Sequence, residues 1–459
     1  MTLTLRKIAE VMGGTFVGDT ALLDTAATST VRDNREAVAG SLFLCFRGER
    51  VDGHDFANDA FARGAICAIA ERDIENSQGA YILVPDTAAA LRRLGAYYRS
   101  QLMIPIIGVV GSVGKTTAKE LISAALSRRF NVHKTDKNLN NELGVPLTLL
   151  GIGEAHTAAV VEMGISDYGE MTRLGEMVHP DIVLFTNIGH AHLETLGDLN
   201  GVLRAKSEVF ATMKPGGTAV LCGDDELLRT LDPGVKTLTF GTQPHNDYRA
   251  ESVTFGENNT QTQRFTVTTP TARLNASIDA YGLFLASSAA GAVAVAELLG
   301  VAPQDIAAGL ADYRTLNGRA NLIETTELLI IDDCYNANPN SVAAALRSLA
   351  TIDRRRVAIL GDMKELGARA NELHRDIGLL AGELGIDVLI CCGEKAEFYL
   401  KGFVASQAER PVYHFPFRNA FLEQLPTLVK KGDAILVKAS HSMNFDEVVG
   451  LLQRPHATR

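Results

Sequence analysis

The sequence predicts an α/β protein of three consecutive domains: a small N-terminal α/β domain, a central doubly wound P-loop domain and a C-terminal Rossmann-like domain. Three observations predict it. The chain has 459 residues, about three times the usual size of one folding unit. Short apolar runs rich in β-branched residues alternate with helical patterns from end to end, the mark of parallel sheets covered by helices. The most apolar run opens into a glycine-spaced loop and then a helix, and near Asn317 the pattern restarts without a second such loop. The domains are placed at residues 1–102, 103–313 and 314–459.

In the first domain, LFLCF (42–46), ICAIA (66–70) and YILV (81–84) read as strands, and Thr87 to Arg99 as a helix. VRDNR (31–35) precedes the first of these strands and RGERVDGHDF (47–56) follows it, charged stretches broken by Gly and Asn. Such composition makes solvated turns, and it also makes binding loops; both readings stand.

The central domain opens with IPIIGVVGSVGKTT (104–117). The uncharged run after Pro105 is a buried strand, and AKELISAALSRRF behind the loop carries apolar residues at helical spacing. Gly111 and Gly114 let backbone N–H groups around Ser112 and Val113 turn toward phosphate oxygens, and the helix N-terminus adds a favourable dipole. Lys115 reaches the β- and γ-phosphates, and Thr116, followed by Thr117, is placed to hold Mg²⁺. GSVGKTT has two residues between its glycines where the common pattern has four. A structural glycine turn with an incidental Lys-Thr is the competing reading. TAAVVEM (157–163) and DIVLFT (181–186) are further strands of the same sheet. The polar, alternating stretch from Lys236 to Ala276 reads as an antiparallel extension, and ASSAAGAVAVAELLG as a long small-residue helix.

In the third domain, LLIID (328–332), RVAIL (356–360), DVLIC (387–391) and AILVK (434–438) are strands. Helices begin near Ser341, Ala370, Asn419 and Asn444.

Composition narrows the partners. Hydrophobic content of 46% with 21% charged residues is that of a globular protein with ample core. A net charge of −10 argues against nucleic acid or an anionic membrane surface as the main partner. No run approaches the roughly 18 apolar residues of a membrane span, and MTLTLRKIAEVMGG lacks a signal-peptide pattern. The six cysteines sit mostly in apolar runs without metal-type spacing, which reads as reduced, buried thiols in a cytosolic protein.

In doubly wound sheets, ligands bind beyond the C-terminal ends of the strands. Glu162 stands at such an end and is placed to hold Mg²⁺; a helix cap or a surface charge is the alternative. His192, in TNIGHAHLE, follows another strand end, with His190 as competitor; a metal role and a structural one are both open. Lys206, in RAKSEVF, reads first as a solvated helix lysine. Desolvation would instead make it a neutral nucleophile able to take up CO₂ as a carbamate. KNLNNELGVP (137–146) offers Asn138, Asn140 and Asn141 as side-chain amides for a substrate carboxylate or peptide, or an ordinary Asx-rich turn. Arg319, in NGRAN, could clamp a terminal phosphate from across a domain cleft. Asp333 and Asn336, in IDDCYNANPNS, could read a ribose or base, and the same segment is a helix entry capped by Asn340 or Ser341.

Taken together, VRDNR…GSLFLCFRGERVDGHDF, GSVGKTTAKE, KNLNNELGVPLTLL, VVEMGISDYGEM, TNIGHAHLE, AKSEVF, NGRAN, IDDCYNANPNS, LGDMKELG and LVKASHSM resemble the Mur ligase family, in order, over nearly the whole chain. The resemblance implies a cytoplasmic, ATP- and Mg²⁺-dependent carboxylate–amine ligase of peptidoglycan synthesis, typically monomeric. ATP would phosphorylate the terminal carboxylate of a UDP-N-acetylmuramoyl-tripeptide, and the amine of D-alanyl-D-alanine would attack the acyl phosphate. It also implies that Gly111 to Thr117 cradle the triphosphate and that Thr116, Glu162 and His192 serve two Mg²⁺ ions. Lys206 matches a lysine often found carbamylated, and Arg319, Asp333 and Asn336 approach the nucleotide from the third domain. Asp33, Arg35, Arg47 and Gly48 would hold the uridine nucleotide, and Asn138 to Asn141 would face the substrate.

Some positions depart from the family pattern. A His and, four residues on, an Asn that typically lies against adenine are here Phe284 and Ser288. Lys-Gly-Ser-Arg is here Lys438-Ala439-Ser440-His441, and a common Glu is Asp446. A sibling ligase adding a single amino acid, a folylpolyglutamate-type ligase, and a nucleotide-binding relative without catalysis remain alternative readings.

Overall fold

The computed structural model describes residues 3–48, 51–256, 260–407 and 409–454. Among the described residues, three large sheets, each with its own helices, follow one another along the chain, as the alternating apolar runs require, and a two-stranded pair, Leu3–Thr4 with Ala26–Ala27, accompanies the first.

The first unit is a five-stranded sheet in the order Thr15–Val17, Ala80–Leu83, Cys67–Ala70, Ser41–Leu44, Ser29–Val31, parallel except for the first pair. The three anticipated runs supply its central strands, and near-complete burial on both faces explains why they are uniformly apolar. The helix Thr87–Ser100 begins at Asp86, whose carboxylate accepts the Ala89 N–H at 2.8 Å. Its far end belongs equally to the next unit. Tyr98 donates to the Ile152 carbonyl at 2.5 Å, and the buried Arg99 donates to the Val178 carbonyl at 2.6 Å.

The second unit carries a nine-stranded sheet. Ile106–Val110, buried throughout, lies between Ala158–Glu162 and Ile182–Phe185, both parallel to it. The chain leaves this central strand toward one edge, through Val132–Lys134 and back to Ala158–Glu162, and only then crosses to Ile182–Phe185. That is the topological switch point at which a crevice opens. The anticipated antiparallel extension is only partly antiparallel. Lys236–Gly241 pairs in parallel with Thr218–Cys222, and Tyr248–Gly256 in parallel with Lys236–Gly241; antiparallel pairing starts with Thr260–Thr268 and Arg273–Asp279. The exception is possible because the second parallel pair overlaps at just Phe240–Tyr248 and Gly241–Arg249, so a short turn replaces a full crossover. The helix Leu283–Leu298 is buried on nearly all sides, and its Ala and Gly residues let it lie close to the sheet: a Cβ on Gly291 would meet the Leu184 side chain at 2.9 Å.

The third unit is a six-stranded sheet ordered Asn321–Glu324, Leu329–Asp332, Ala434–Lys438, Arg356–Gly361, Val388–Cys392, Val412–Phe415, with only the first pair antiparallel. The four anticipated strands are its interior. Both edges escaped the sequence reading, since half-exposed strands lack a continuous apolar run. The helix Pro339–Leu349 is capped by Asn338 rather than by Asn340 or Ser341: Asn338 accepts the Ser341 N–H while Ser341 accepts the Asn338 N–H. Pro339 at the first helical position forces the cap back to the residue before it. All six cysteines are unbridged and buried, and Cys391 and Cys392 point into separate cores on opposite faces of their strand.

The third unit is tightened by glycines at the crossing of helices Ala370–Glu383 and Glu397–Ala405. A Cβ on Gly378 would lie 2.0 Å from the Tyr399 carbonyl oxygen, and one on Gly402 1.9 Å from that of Arg375. Gly378→Ala should therefore cost about 1–3 kcal/mol by overpacking. A thermal melt checks this, and an unshifted midpoint refutes the close contact.

Candidate active site

The loop after the central strand is held by the neighbouring strand end. Gly111 has φ +147°, and a Cβ there would stand 1.9 Å from Thr186 Oγ1, so no other residue fits. Asn187 clamps the loop: its carbonyl accepts the Ser112 N–H at 3.0 Å, its Oδ1 accepts the Val113 N–H at 3.0 Å, and its Nδ2 donates to the Val113 carbonyl at 3.1 Å. Thr186 Oγ1 donates to that same carbonyl at 2.6 Å. Gly114, at φ +79°, turns the chain into helix Lys115–Leu126, whose first turn has no side-chain cap. Its free N–H groups and the positive end of its dipole face the crevice, an arrangement suited to phosphate. Lys115 bends back over the loop and donates to the Gly111 carbonyl at 2.9 Å. Burial pulls its ammonium below the usual lysine range, with Glu162 opposing and Arg319 reinforcing the shift.

Opposite the loop, Glu162 ends its strand only 2% exposed. Thr116 Oγ1 donates to its Oε2 at 2.9 Å and Asn140 Nδ2 to its Oε1 at 2.8 Å, while its own N–H reaches Thr135 Oγ1 at 2.9 Å. A carboxylate, a hydroxyl and an amide converging beside a phosphate loop are the hard oxygen donors that Mg²⁺ takes, with water and phosphate completing its shell. His192 lies further along the crevice in a left-handed conformation, φ +53°, with Nδ1 2.9 Å from Glu365 Oε2.

Lys206 ends the helix Leu199–Ser207 and is 1% exposed. Among the described residues its ammonium has no hydrogen bond or ion pair. Burial, then the nearby charge of Lys115, drives it well below the usual lysine range, against a weaker pull from Glu170. The ordinary solvated reading is therefore overturned. The apolar spacing that placed it on a helix could not show which face the sheet would cover.

The third unit closes the other side. Arg319 lies over the Tyr335 ring, 4.0 Å from its centroid, and Tyr335 packs against His441 with ring centroids 5.0 Å apart. Lys438 donates to Asp333 Oδ2 at 2.5 Å and to the Asn336 carbonyl at 2.9 Å, and the Ala320 N–H reaches Asp333 Oδ1 at 3.1 Å. Burial raises the Asp333 carboxyl, and Lys438 opposes that rise. Asn336 turns its own Oδ1 to the Ala337 N–H at 2.9 Å. The two units touch where Asn340 Oδ1 accepts the His190 N–H at 3.2 Å and where His192 meets Glu365.

One cleft of about 1030 Å³ gathers these groups. From the second unit it takes residues 112–117, Asn138, Asn140, Asn141, Glu162 and His192; from the third, Arg319, Asp333 and Asn336. Gly111 and Lys206 stand behind this lining. Phe284 and Ser288 join it from the long helix, where Ser288 Oγ donates to the Phe284 carbonyl at 3.4 Å. Asp33, Arg35, Arg47 and Gly48 lie apart, on the first unit. Arg35 Nη2 donates to Asp33 at 2.6 Å and holds its carboxyl down at about 2. The Gly48 N–H closes on the Val51 carbonyl at 2.9 Å, and Glu49 and Arg50 fall outside the described residues. Lys364, Glu365 and Tyr335 also line the cleft without having been singled out. LGDMKELG follows a strand directly, so the strand-end rule would have found the first two.

Residues 32–140 match the Mur ligase family catalytic domain, 109–296 the Mur ligase middle domain, and 318–441 the Mur ligase glutamate ligase domain. The UDP-N-acetylmuramoyl-tripeptide–D-alanyl-D-alanine ligase of Bacillus subtilis is 34% identical over 98% of this chain and 99% of its own. The Escherichia coli protein of the same name is 33% identical over 99% of both. The crystal structure of MurF from Acinetobacter baumannii superposes with a TM-score of 0.89 at 32% identity, covering 99% of each chain. The MurF ligase of Thermotoga maritima in complex with ADP gives 0.81 at 29% identity, over 93% of this chain and 97% of that one.

The seat of Gly111 against Thr186 is testable. Gly111→Ala adds both a strained φ and a clash, each costing about 1–3 kcal/mol. Since 1.4 kcal/mol is about tenfold in affinity, ADP binding measured by calorimetry should weaken by roughly tenfold or more. Unaltered binding would show that the loop does not depend on this contact.

Proposed function

The chain belongs to the Mur ligase family, and we propose that its interdomain cleft is where ATP is spent to make an amide bond. The protein is an ATP-dependent ligase that joins D-alanyl-D-alanine to UDP-N-acetylmuramoyl-tripeptide in peptidoglycan precursor synthesis. The observation that carries the site assignment is the convergence of Lys115, Thr116 and Glu162 from one unit with Arg319 from another on a single cleft.

A carboxylate is a poor electrophile, so it must be given a leaving group. In our reading, the loop N–H groups of residues 112–117, with Lys115 and Arg319, hold the triphosphate so that a tripeptide carboxylate oxygen attacks the γ-phosphorus. The bond from that phosphorus to the bridging oxygen breaks and ADP leaves. The D-alanyl-D-alanine amine, freed of its extra proton, then adds to the acyl carbon. The tetrahedral adduct collapses by losing phosphate, and the remaining nitrogen proton passes to solvent. Thr116 and Glu162 would hold one Mg²⁺, and His192 would serve a second; when bound, such ions neutralise phosphate charge. Asn138, Asn140 and Asn141 orient the substrate peptide, while Asp333 and Asn336 approach the nucleotide. Asp33, Arg35, Arg47 and Gly48 hold the uridine diphosphate end on the first unit.

Lys206 is assigned as the carbamylated lysine. Burial favours the neutral form of an amine that has no ion pair among the described residues, that form is nucleophilic toward CO₂, and the resulting anion would relieve the crowding of positive charge around Lys115. We place the enzyme in the cytoplasm, where ATP and UDP-linked precursors meet, and assign it as a monomer.

Two measurements test this reading. Phosphate release should require UDP-N-acetylmuramoyl-tripeptide together with D-alanyl-D-alanine, and Lys115→Ala should lower kcat by about 10²–10³-fold with the fold retained. Turnover with a single amino acid in place of the dipeptide, or an undiminished variant, would overturn it. Native mass spectrometry in bicarbonate should show one added CO₂ per chain, lost in Lys206→Met; a wild-type chain at its unmodified mass refutes the carbamate.

A further inference from the structure

Lys119 is a buried cation that the ligation chemistry leaves unused. It is 2% exposed, yet its ammonium is fully engaged: it donates to the Thr135 carbonyl at 2.6 Å and lies 3.2 Å from Glu120 Oε1. An apolar side chain of similar length would fill this space without the cost of desolvating a charge. What the ammonium grips gives it a purpose. Thr135, with no exposed surface, closes the edge strand Val132–Lys134, and its hydroxyl accepts the Glu162 N–H at 2.9 Å. Three residues before Lys119, on the same face of the helix, Thr116 donates to the Glu162 carboxylate at 2.9 Å. Helix, lysine, threonine and glutamate thus form a closed ring. Thr135 is also the root of the loop that carries Asn138 to Asn141, and Asn140 returns to the other oxygen of Glu162 at 2.8 Å.

We propose that Lys119 is a positioning residue: by fixing Thr135 it sets both the Glu162 carboxylate and the amide-bearing loop, so that the divalent-cation side of the nucleotide site is formed before ATP arrives. This rests on the assignment of Glu162 to that cation. Lys119 touches neither nucleotide nor substrate, so its effect reaches the reaction only through Glu162.

The experiment is calorimetric titration of the full-length protein with ADP, with and without Mg²⁺, alongside kcat and KM. In Lys119→Met the gain in ADP affinity on adding Mg²⁺ should shrink by about 10–100-fold, the usual cost of removing a residue that supports a metal ligand. Affinity without Mg²⁺ should stay at the wild-type value, and kcat should fall while KM for the dipeptide holds. Lys119→Arg, which keeps the donor, should recover most of the loss. Thr135→Val keeps shape but removes the acceptor hydroxyl, and should reproduce the loss even if Lys119→Met folds poorly. A purely structural lysine would lower the melting temperature and leave the Mg²⁺ gain intact; that result in both variants overturns the proposal. If the wild type shows no Mg²⁺ gain, the Glu162 assignment fails first and this inference goes with it.

Discussion

Everything in the cleft answers to one constraint: Glu162 is a carboxylate taken almost wholly out of water at the end of a buried strand. An ionised group in that position is tolerable only if donors or cations surround it. Thr116 and Asn140 donate to the carboxylate from two separate segments, and Thr135, from a third, accepts the Glu162 backbone N–H. Each is thereby drawn to the same point in space. The phosphate loop is short by two residues against the common pattern, but its glycines, its clamp by Asn187 and its uncapped helix keep the features that phosphate requires. The constraint and the proposed function coincide, because the cluster that stabilises a lone carboxylate is also the one we assign to a divalent cation.

Positive charge is the complementary theme. Lys206 is buried and Lys115 half-buried; the charge of Lys115 makes Lys206 harder to protonate, and Arg319 does the same to Lys115. Crowding cations in a poorly solvated crevice costs stability, and a triphosphate is the ligand that relieves it. Among the described residues Lys206 makes no hydrogen bond or ion pair, and Glu170 pulls on its charge only weakly.

Neither unit holds the whole site. Asn340 reaches the His190 backbone, and His192 meets Glu365, each of these last two in a left-handed conformation that non-glycine residues seldom adopt. Polar, strained segments thus make the contact at the cleft, while an apolar cluster joins the units behind it. Further along, Tyr281, just before the long central helix, joins the third unit through a hydrogen bond with Thr351 at 2.6 Å.

The α/β class, the interior strands of the first and third sheets, the three central strands of the second, the phosphate loop and the strand ends at which polar side chains emerge follow from the sequence alone, whereas the buried strand Thr218–Cys222 was not read from it. These are legible because a strand buried on both faces must be apolar for its whole length, and because glycine spacing follows from backbone geometry alone. Tertiary structure decided the rest. It made Lys206 a buried amine, turned a polar extension into two further parallel strands, moved a helix cap to Asn338, and built the Lys119–Thr135–Glu162 ring from residues that look unremarkable in series. Burial of a charge and closure of a hydrogen-bonded ring depend on which segments come to lie side by side, and no local pattern encodes that adjacency.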